Sequence, residues 1–279
     1  MRFKNKNSIP FFILFIIHTI LIGLAFYKSK NKKEIIIFLG SIMGFSYLLE
    51  FFVLNLFKGY KYMPHVLKNK SLDNFLGAFL SQSIFVPFTA VYLTLTKSGL
   101  TKKLLGSIYF SLIEVLFLRL RVYKHNWWRT VYTFSLIPIY FVISDYWYYL
   151  LAKKNKLIRQ ISFFLMIMVT ETNLFLLLAF LRKIRFGWGR YHGWTEHFII
   201  TPLYSITYSL FSYFTLKKSN GYWAKVKLVL FDACLYQIFI RTKIFKTKIK
   251  LINYILIKSA MVFVYGTYRK WIFGGYRND

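Results

Sequence analysis

Residues 35–57, IIIFLGSIMGFSYLLEFFVLNLF, contain a single charged side chain, Glu50, and are followed at once by Lys58 and Lys61. A helix needs about 20 mostly apolar residues to cross the hydrocarbon core of a bilayer. Helices are also the one open-ended structure that satisfies its own backbone hydrogen bonds there. The stretch therefore predicts a transmembrane helix that ends in basic residues at the membrane surface.

The same pattern, an apolar run closed by lysine or arginine, recurs along the whole chain. Eight further runs occupy residues 9–27, 75–96, 104–120, 131–152, 161–181, 198–216, 226–240 and 251–268. The first run is too long for a signal peptide and lacks a small-residue cleavage motif, so we interpret it as a retained span. We predict an all-α polytopic transmembrane helical bundle of eight or nine spans, forming a single integral membrane domain over residues 1–279.

The overall composition excludes a soluble or disordered chain. Of 279 residues, 57% are hydrophobic, and the mean hydropathy is +0.45. Lysine and arginine number 39 against 9 acidic residues, a net charge of +30. Because these cations lie in short clusters between apolar runs, they predict contact with the lipid bilayer and anionic lipid headgroups, not with nucleic acid. The lone cysteine, Cys234, excludes an internal disulfide, and we expect it to be an inert small apolar residue.

Basic residues do not predict an orientation. Counted on alternate sides of a nine-span chain, 20 lie on one side and 18 on the other, with Lys258 inside a run. The positive-inside rule needs a clear excess on one side. Either the positive-inside rule discriminates poorly for this chain, or one of the nine runs does not cross the membrane.

Four landmarks recur in the same order in the two halves of the chain, 115 to 121 positions apart. The pairs are Glu50 with Glu171, Pro87 with Pro202, Glu114 with Asp232, and Arg129-Thr130 with Lys246-Thr247. This order predicts a duplicated four-helix unit, with halves at 35–152 and 161–270, preceded by one extra span. The two shortest runs, 104–120 and 226–240, carry an acid near the middle at matching positions, a pattern typical of transport sites. The alternative is that basic residues at their ends snorkel and so lengthen these helices.

Ionisable side chains inside the apolar runs are the strongest candidates for function. They are Glu50, Glu114, Asp145, Glu171, Asp232 and Lys258. A charge in the bilayer is costly, so such residues face the bundle interior or water and find partners. They predict either a polar pathway for a cation or proton, or interhelical pairing that fixes the assembly of the bundle. Under the repeat, Lys258 is placed to pair with Asp232 or Glu171.

The loops combine aromatic and basic residues. We predict interfacial anchors or lipid-headgroup contacts at Arg121, Lys124, His125, Trp127, Trp128, Arg129, Arg190 and His192. The stretch from His192 to His197 fits no metalloprotease spacing and is predicted to be an interfacial loop. No glycine-rich phosphate loop and no serine nucleophile elbow is present, so the sequence predicts no metal, no cofactor and no recognisable catalytic residue.

One part of the chain resembles a known family. The motifs are residues 55–62 (NLFKGYKY), Leu72-Asp73-Asn74, Val86-Pro87, residues 114–118, residues 123–128 (YKHNWW) and residues 137–146. Over about residues 45–150 the chain resembles a family of uncharacterised multi-pass membrane proteins of spore-forming Gram-positive bacteria. The resemblance implies a location in the bacterial cytoplasmic membrane. It implies no activity and no functional residues.

Three functions remain open from the sequence. The first is a transporter or channel-like protein for an ion or small solute, with Glu50, Glu114, Glu171 and Asp232 lining the path. The second is a non-catalytic membrane scaffold whose buried charges are structural and whose basic aromatic loops bind anionic lipid. The third is a membrane enzyme acting on lipid phosphates through His125, or through His192 and His197. A path predicts that at least three of the acids converge on one water-accessible cavity.

Overall fold

The computed structural model describes residues 8–188 and 192–274, and these are dominated by helix. Their helical segments are α1 (Ile9–Lys28), α2 (Lys32–Glu50), a π-helical segment (Phe51–Leu56), α3 (Lys70–Phe79), a second π-helical segment (Leu80–Phe85), α4 (Val86–Leu95), α5 (Leu100–Arg119), α6 (Thr130–Ala152), α7 (Lys156–Phe180), α8 (Trp194–Lys218), α9 (Tyr222–Arg241) and α10 (Leu251–Phe273). Because the π-helical segments are continuous with their neighbours, the described residues form nine unbroken helices. Each of the nine apolar runs lies within one of them to within one residue at its end.

Six helices are long and apolar enough to cross a membrane. They are Ile9–Lys28, Lys32–Leu56, Lys70–Leu95, Thr130–Ala152, Lys156–Phe180 and Leu251–Phe273. The prediction of a helical protein with several membrane-spanning segments is thereby confirmed at this level. The helices α5, α8 and α9 carry more charge or less apolar character and fall outside the six. Two of these three, α5 and α9, contain the shortest apolar runs.

Four short strands, which the sequence did not predict, join the helices. The strands are β1 (Tyr60–Tyr62), β2 (Tyr123–His125), β3 (Ile184–Phe186) and β4 (Phe245–Thr247). β1 pairs antiparallel with β2, with Lys61 opposite Lys124. β3 pairs antiparallel with β4, with Arg185 opposite Lys246. In β1 and β3 the outer residues are buried and the central basic residue is not, as expected for strands whose side chains alternate between two faces.

The chain divides into two units, Met1–Ile158 and Arg159–Asp279. The boundary falls between the two predicted repeat halves. From α2 to α6 the first unit follows the order helix, strand, helix, helix, strand, helix. The second unit follows the same order from α7 to α10. Helix α1 is the additional element of the first unit.

In each unit a helix leading into a strand ends in the same kind of turn. Arg121, Arg182 and Lys243 have positive φ angles of 55°, 53° and 59°. The following backbone N–H groups of Val122, Lys183 and Ile244 donate to the carbonyls five residues earlier, at 2.9–3.0 Å. This is the Schellman arrangement, which satisfies free carbonyls at a helix end and normally uses glycine. Basic residues occupy the left-handed position here, which directs their charge away from the apolar run.

Within the first unit, the helices pack so that the acid-bearing α2 and α5 each contact α6, and α1 contacts α4. The large exposed side chains of α1, α5 and α6 are apolar, for example Phe12, Leu112 and Ile139. Small and polar side chains are buried instead: Ser46 Oγ donates to Tyr140 Oη at 2.9 Å, and Tyr47 Oη lies 2.6 Å from Ser83 Oγ. Such an arrangement suits an apolar surrounding, where polar groups must find partners within the bundle.

The described part of the first unit contains two π-helical segments, one near Glu50 and one near Pro87. One follows Glu50 directly, and the other ends at Phe85, two residues before Pro87. Proline donates no N–H and its ring crowds the carbonyl four residues earlier, so the helix widens before it. π-helical turns are frequent at functional sites.

Within the second unit, α9 packs on α10, and α8 packs on α9 and β3. The side chains of Tyr208 and Tyr265 are fully buried between these elements. Pro202 lies inside α8 without a π-helical segment beside it. The interior of this unit is therefore a regular helical one, filled by aromatic rings.

Candidate functional site

Glu50 ends α2 and lies buried, with 7% of its surface exposed. Its Oε2 atom accepts a hydrogen bond from Tyr60 Oη of β1. The same oxygen accepts a second bond from Gln82 Nε2 of the π-helical segment, at 3.0 Å. Its Oε1 atom is buried and has no hydrogen-bond partner among the described residues. Asp232 Oδ2 of the second unit is likewise buried without a hydrogen-bond partner among the described residues.

Glu114 lies in α5, five residues before the helix ends, and is 9% exposed. Its Oε1 atom lies 2.7 Å from His125 Nε2 of β2. Its Oε2 atom accepts a hydrogen bond from Thr133 Oγ1 of α6 at 2.5 Å, and Thr133 in turn accepts from Trp128 Nε1 at 2.9 Å. The carboxylate is thus held by three elements of one unit. It lies toward the strand end of α5 and not at the middle of the helix, which corrects the expected position.

A cavity of about 100 Å³ connects these groups within the first unit. Its apolar walls come from α1, α4, α5 and α6. Its polar lining consists of Tyr60, Tyr62, Ser81, Gln82, Glu114, Tyr123 and Thr133. Among the described residues, no lysine, arginine or histidine lines it. Glu50 adjoins it through its hydrogen bonds to Tyr60 and Gln82. The cavity has room for a few water molecules but lies well below the 300–1,000 Å³ typical of sites for organic ligands.

Three tyrosines of the paired strands form the floor of this cavity. The ring centroid of Tyr123 lies 5.3 Å from that of Tyr60 and 5.0 Å from that of Tyr62. Burial raises the pKa of Tyr60 and Tyr62 well above 10, and the carboxylate of Glu50 raises both further. Burial likewise raises the pKa of Tyr123. The three hydroxyls therefore stay protonated and can orient either a hydrogen or a lone pair toward the cavity.

A buried lysine contacts both acids that lie inside the apolar runs of the second unit. Lys258 of α10 is 1% exposed, and its Nζ atom lies 2.6 Å from each carboxylate oxygen of Glu171. The same Nζ atom lies 3.5 Å from Asp232 Oδ2 and 4.1 Å from the ring centroid of Tyr208. Tyr265 Oη donates to Glu171, and Tyr204 Oη donates to Asp232. Lys258 thus contacts both acids that the repeat placed near it.

The remaining intramembrane acid, Asp145, lies apart from both acid pairs. It accepts hydrogen bonds from Lys103 Nζ and from Thr94 Oγ1, the latter at 2.7 Å. Its side chain is 38% exposed. Lys103 lies in the first turn of α5 and Asp145 near the end of α6, whereas Glu114 lies near the other end of α5. The sequence predicted that Asp145 belongs either to a polar pathway or to an ion pair, and the structure places it in an ion pair with Lys103.

The predicted interface residues of the first unit divide into exposed and buried groups. Arg121, Lys124 and Arg129 are exposed. Trp127 is 46% exposed and donates its indole N–H to the carbonyl of Phe57 at 2.7 Å, whereas Trp128 is 8% exposed and packs on Tyr60. His125, expected at the interface, is drawn toward Glu114.

In the second unit the histidines lie differently from the expectation. His197 lies in the first turn of α8, not in a loop, and is fully buried. Its Nδ1 atom accepts the backbone N–H of Phe186 at 3.1 Å, which gives the ring a structural role beside β3. The backbone carbonyl of His192 accepts from Arg185 at 3.2 Å. Arg190 lies outside the described residues. Cys234 is exposed on the surface of α9.

Sequence reasoning missed Tyr60, Gln82 and Asp73. Asp73 accepts backbone N–H groups of His65, Val66 and Leu67, each at 2.8 Å, and thereby fixes the turn between β1 and α3. The alternation Tyr60-Lys61-Tyr62 is a strand pattern that could have revealed the tyrosine. Gln82 carries no comparable signal, because one amide in an apolar run is compatible with many positions.

The arrangement of the first unit can bind a small cation or relay a proton. It offers carboxylate and hydroxyl oxygens, the ligands that hard cations prefer. Within the described ranges no three His, Cys, Asp or Glu side chains come together as a transition-metal site would require. The four predicted pathway acids divide two and two between the units, so a convergence of three within either unit does not occur. No family model, curated protein or solved structure matches this chain.

Proposed function

We propose that the chain is an integral membrane protein that binds and conducts a small monovalent cation, or a proton, through its first unit. Glu50 and Glu114 supply the negative charge of the site. Tyr60, Tyr62 and Tyr123 supply neutral oxygen ligands. The observation that carries this proposal is the cavity beside two buried carboxylates with no lysine or arginine in its lining.

The contrast between the two units supports this assignment. In the second unit Lys258 contacts both Glu171 and Asp232 and balances one of their two negative charges. In the first unit His125 contacts Glu114, but no lysine or arginine forms an ion pair with Glu50 or Glu114 among the described residues. A buried carboxylate needs a cation, a proton or water as company. A mobile cation would have the place in the first unit that the Lys258 ammonium has in the second.

The size of the cavity supports an ion over an organic solute. At about 100 Å³ it accommodates an ion with a few waters. The orphaned Oε1 atom of Glu50 provides an unused ligand. Gln82 of the second π-helical segment bonds Glu50, the residue directly before the first π-helical segment, and π-helical turns are frequent at functional sites.

A second candidate function is a non-conducting membrane scaffold, which the Lys258 cluster favours. Its charges are buried and paired within one unit, as expected for groups that fix the packing of helices. Under this function the basic aromatic loops hold anionic lipid. The two candidates differ in whether the first unit takes up an ion.

We further infer that the two units arose by duplication of one four-helix unit, and that the chain resides in the bacterial cytoplasmic membrane. The shared order of helices and strands, the matching antiparallel pairs and the basic left-handed residues Arg121 and Lys243 support the duplication. Divergence would then have placed tyrosines over one acid pair and a lysine beside the other. The location rests on the resemblance over residues 45–150.

Cation-dependent stabilisation of the purified full-length protein tests the binding site. Melting temperatures are measured with Na⁺, K⁺, Rb⁺ or N-methylglucamine chloride at constant ionic strength. A ligand that binds only the folded state raises the melting temperature. We expect one small cation to stabilise the wild type over N-methylglucamine, and Glu50→Gln and Glu114→Gln to abolish the difference.

The matched control is Glu34→Gln in the first turn of α2, at the far end of that helix from Glu50. It makes the same chemical change in the same unit and should keep the wild-type response. A response retained by both Glu50→Gln and Glu114→Gln would contradict the site. If no metal cation stabilises the wild type, only the proton form of the proposal remains, and it is tested by measuring a pH-dependent proton flux.

A further inference from the structure

The paired strands of the second unit carry a cluster of cations at one end of the fold. Five basic side chains line a cavity of about 280 Å³ together with Ile184 and Thr247: Arg182, Lys183, Arg185, Lys246 and Lys248. None of the four ion pairs within the described residues involves any of the five. The cavity is therefore strongly positive and lacks a carboxylate of its own.

The position at a helix end explains one of these five charges, but not the other four. Arg182 follows the end of α7 and occupies the left-handed turn, where a cation also favours the negative end of the helix dipole. Lys183, Arg185, Lys246 and Lys248 lie beyond that turn, on or beside the strands. Within the ladder Arg185 stands directly opposite Lys246. Like charges opposite each other destabilise an antiparallel pair, and an anion between them would relieve the repulsion. Lys61 and Lys124 oppose each other in the same way in the first unit, so the further cations Lys183 and Lys248 and the fixed guanidinium of Arg185 distinguish this site.

One of the cations is held rigidly. The guanidinium of Arg185 stacks over the ring of Trp194 at 4.0 Å from the centroid. It also donates to the backbone carbonyl of His192 at 3.2 Å. A planar guanidinium fixed in this way keeps N–H groups free for a second acceptor and suits the geometry of a phosphate.

We propose that this cavity, bounded by β3 and β4, binds a phosphate group, with Arg185 as its fixed ligand and Lys183, Lys246 and Lys248 around it. Anionic phospholipid and free inorganic phosphate both carry this chemistry. The site is independent of the cation site in the first unit, because all of its residues lie in the second. The sequence predicted headgroup contact for the basic clusters in general, but it named none of these five residues individually as a lipid contact.

The test is a thermal-shift titration of the detergent-solubilised full-length protein. The probes are short-chain phosphatidylglycerol, short-chain phosphatidylcholine and inorganic phosphate. We expect phosphatidylglycerol to stabilise the wild type, and the apparent affinity to fall about fivefold for each charge removed, since one basic residue near a membrane surface contributes about a factor of this size. The test variant is the double substitution Lys246→Gln with Lys248→Gln.

The matched control is Lys217→Gln with Lys218→Gln, at the opposite end of α8. It removes the same net charge from the same unit and should bind as the wild type does. Stabilisation by inorganic phosphate alone would identify a soluble anion as the ligand, whereas stabilisation by phosphatidylglycerol alone would identify a lipid. Equal affinities of the two double variants for every probe would overturn the proposal. If the test variant does not fold, Lys248→Gln against Lys218→Gln makes the same comparison at an exposed side chain.

Discussion

The Nζ atom of Lys258 lies 2.6 Å from both carboxylate oxygens of Glu171, deep inside the second unit. Among the described residues of the first unit, no lysine forms an ion pair with Glu50 or Glu114. The oxygens of these two acids accept hydrogen bonds from uncharged tyrosine, glutamine and threonine side chains. Glu114 also contacts His125. A lysine of the protein therefore contacts both acids of the second unit. We propose that a mobile cation or a proton takes the corresponding place in the first unit.

We expect Lys258→Met to destabilise the protein by about 3–5 kcal/mol. Removing one partner of a buried ion pair leaves the other charge without compensation, which has a cost of this order. Thermal or denaturant unfolding of the purified protein measures the loss. The triple variant Lys258→Met, Glu171→Gln, Asp232→Asn removes both remaining charges and should recover part of the stability. Equal stability of wild type and Lys258→Met would show that the contacts of Lys258 with Glu171 and Asp232 do not stabilise the fold.

We expect Tyr60→Phe to lower stability by about 1–3 kcal/mol, because the hydroxyl donates to the buried carboxylate of Glu50. The ring itself would remain packed against Trp128. Tyr27→Phe is the control, because Tyr27 is 88% exposed. Differential unfolding of the two variants checks the prediction, and an unchanged melting temperature for Tyr60→Phe would remove this hydrogen bond from the account.

The tyrosine floor predicts a loss of stability in alkali. Burial raises the pKa of Tyr60, Tyr62 and Tyr123 above the value near 10 of an unfolded chain. A raised pKa means that the folded state holds the proton more tightly, so this contribution is complete below pH 10 and lost as the pH rises beyond it. Absorbance titration at 295 nm, followed with unfolding, should show tyrosines that ionise only as the protein unfolds. Complete ionisation near pH 10 with the fold intact would contradict the burial of these groups.

Gly77 of α3 is packed against the side chain of Tyr62, and a Cβ atom at this position would overlap it. We expect Gly77→Ala to cost about 1–3 kcal/mol, as overpacking of an interior does. It should also weaken the cation response, because Tyr62 lines the cavity. Gly23→Ala is the control: nothing lies within 4 Å of the added atom, and alanine favours a helix by up to about 1 kcal/mol. Wild-type stability in Gly77→Ala would contradict the close approach of α3 to β1.

The helices were predictable from the sequence because apolar runs and basic closures are strong, local signals. Glu50, Glu114, Glu171 and Asp232 were recognised for the same reason, since an acid is conspicuous in an apolar run. The contact of Lys258 with two acids was anticipated through the repeat. Each of these predictions needs only the sequence of one helix or of one pair of helices.

What escaped prediction depends on tertiary structure. The strands are three residues long, and the alternation of Tyr60, Lys61 and Tyr62 was hidden in loops taken to be interfacial. The partner of Asp145 is Lys103, which belongs to another helix and had been counted as a surface cation. The π-helical turns and the bond from Gln82 to Glu50 depend on how helices meet, which no single run contains.

Cation flux into proteoliposomes tests the central claim most directly. Vesicles containing wild-type protein, Glu114→Gln or Glu34→Gln are compared for uptake of Na⁺, K⁺ and Rb⁺, and for proton flux with a trapped pH dye. We predict flux of one of these ions with the wild type and with Glu34→Gln, and at least a tenfold loss with Glu114→Gln. Flux that is the same in Glu114→Gln as in the wild type, or that never exceeds that of protein-free vesicles, would contradict the account.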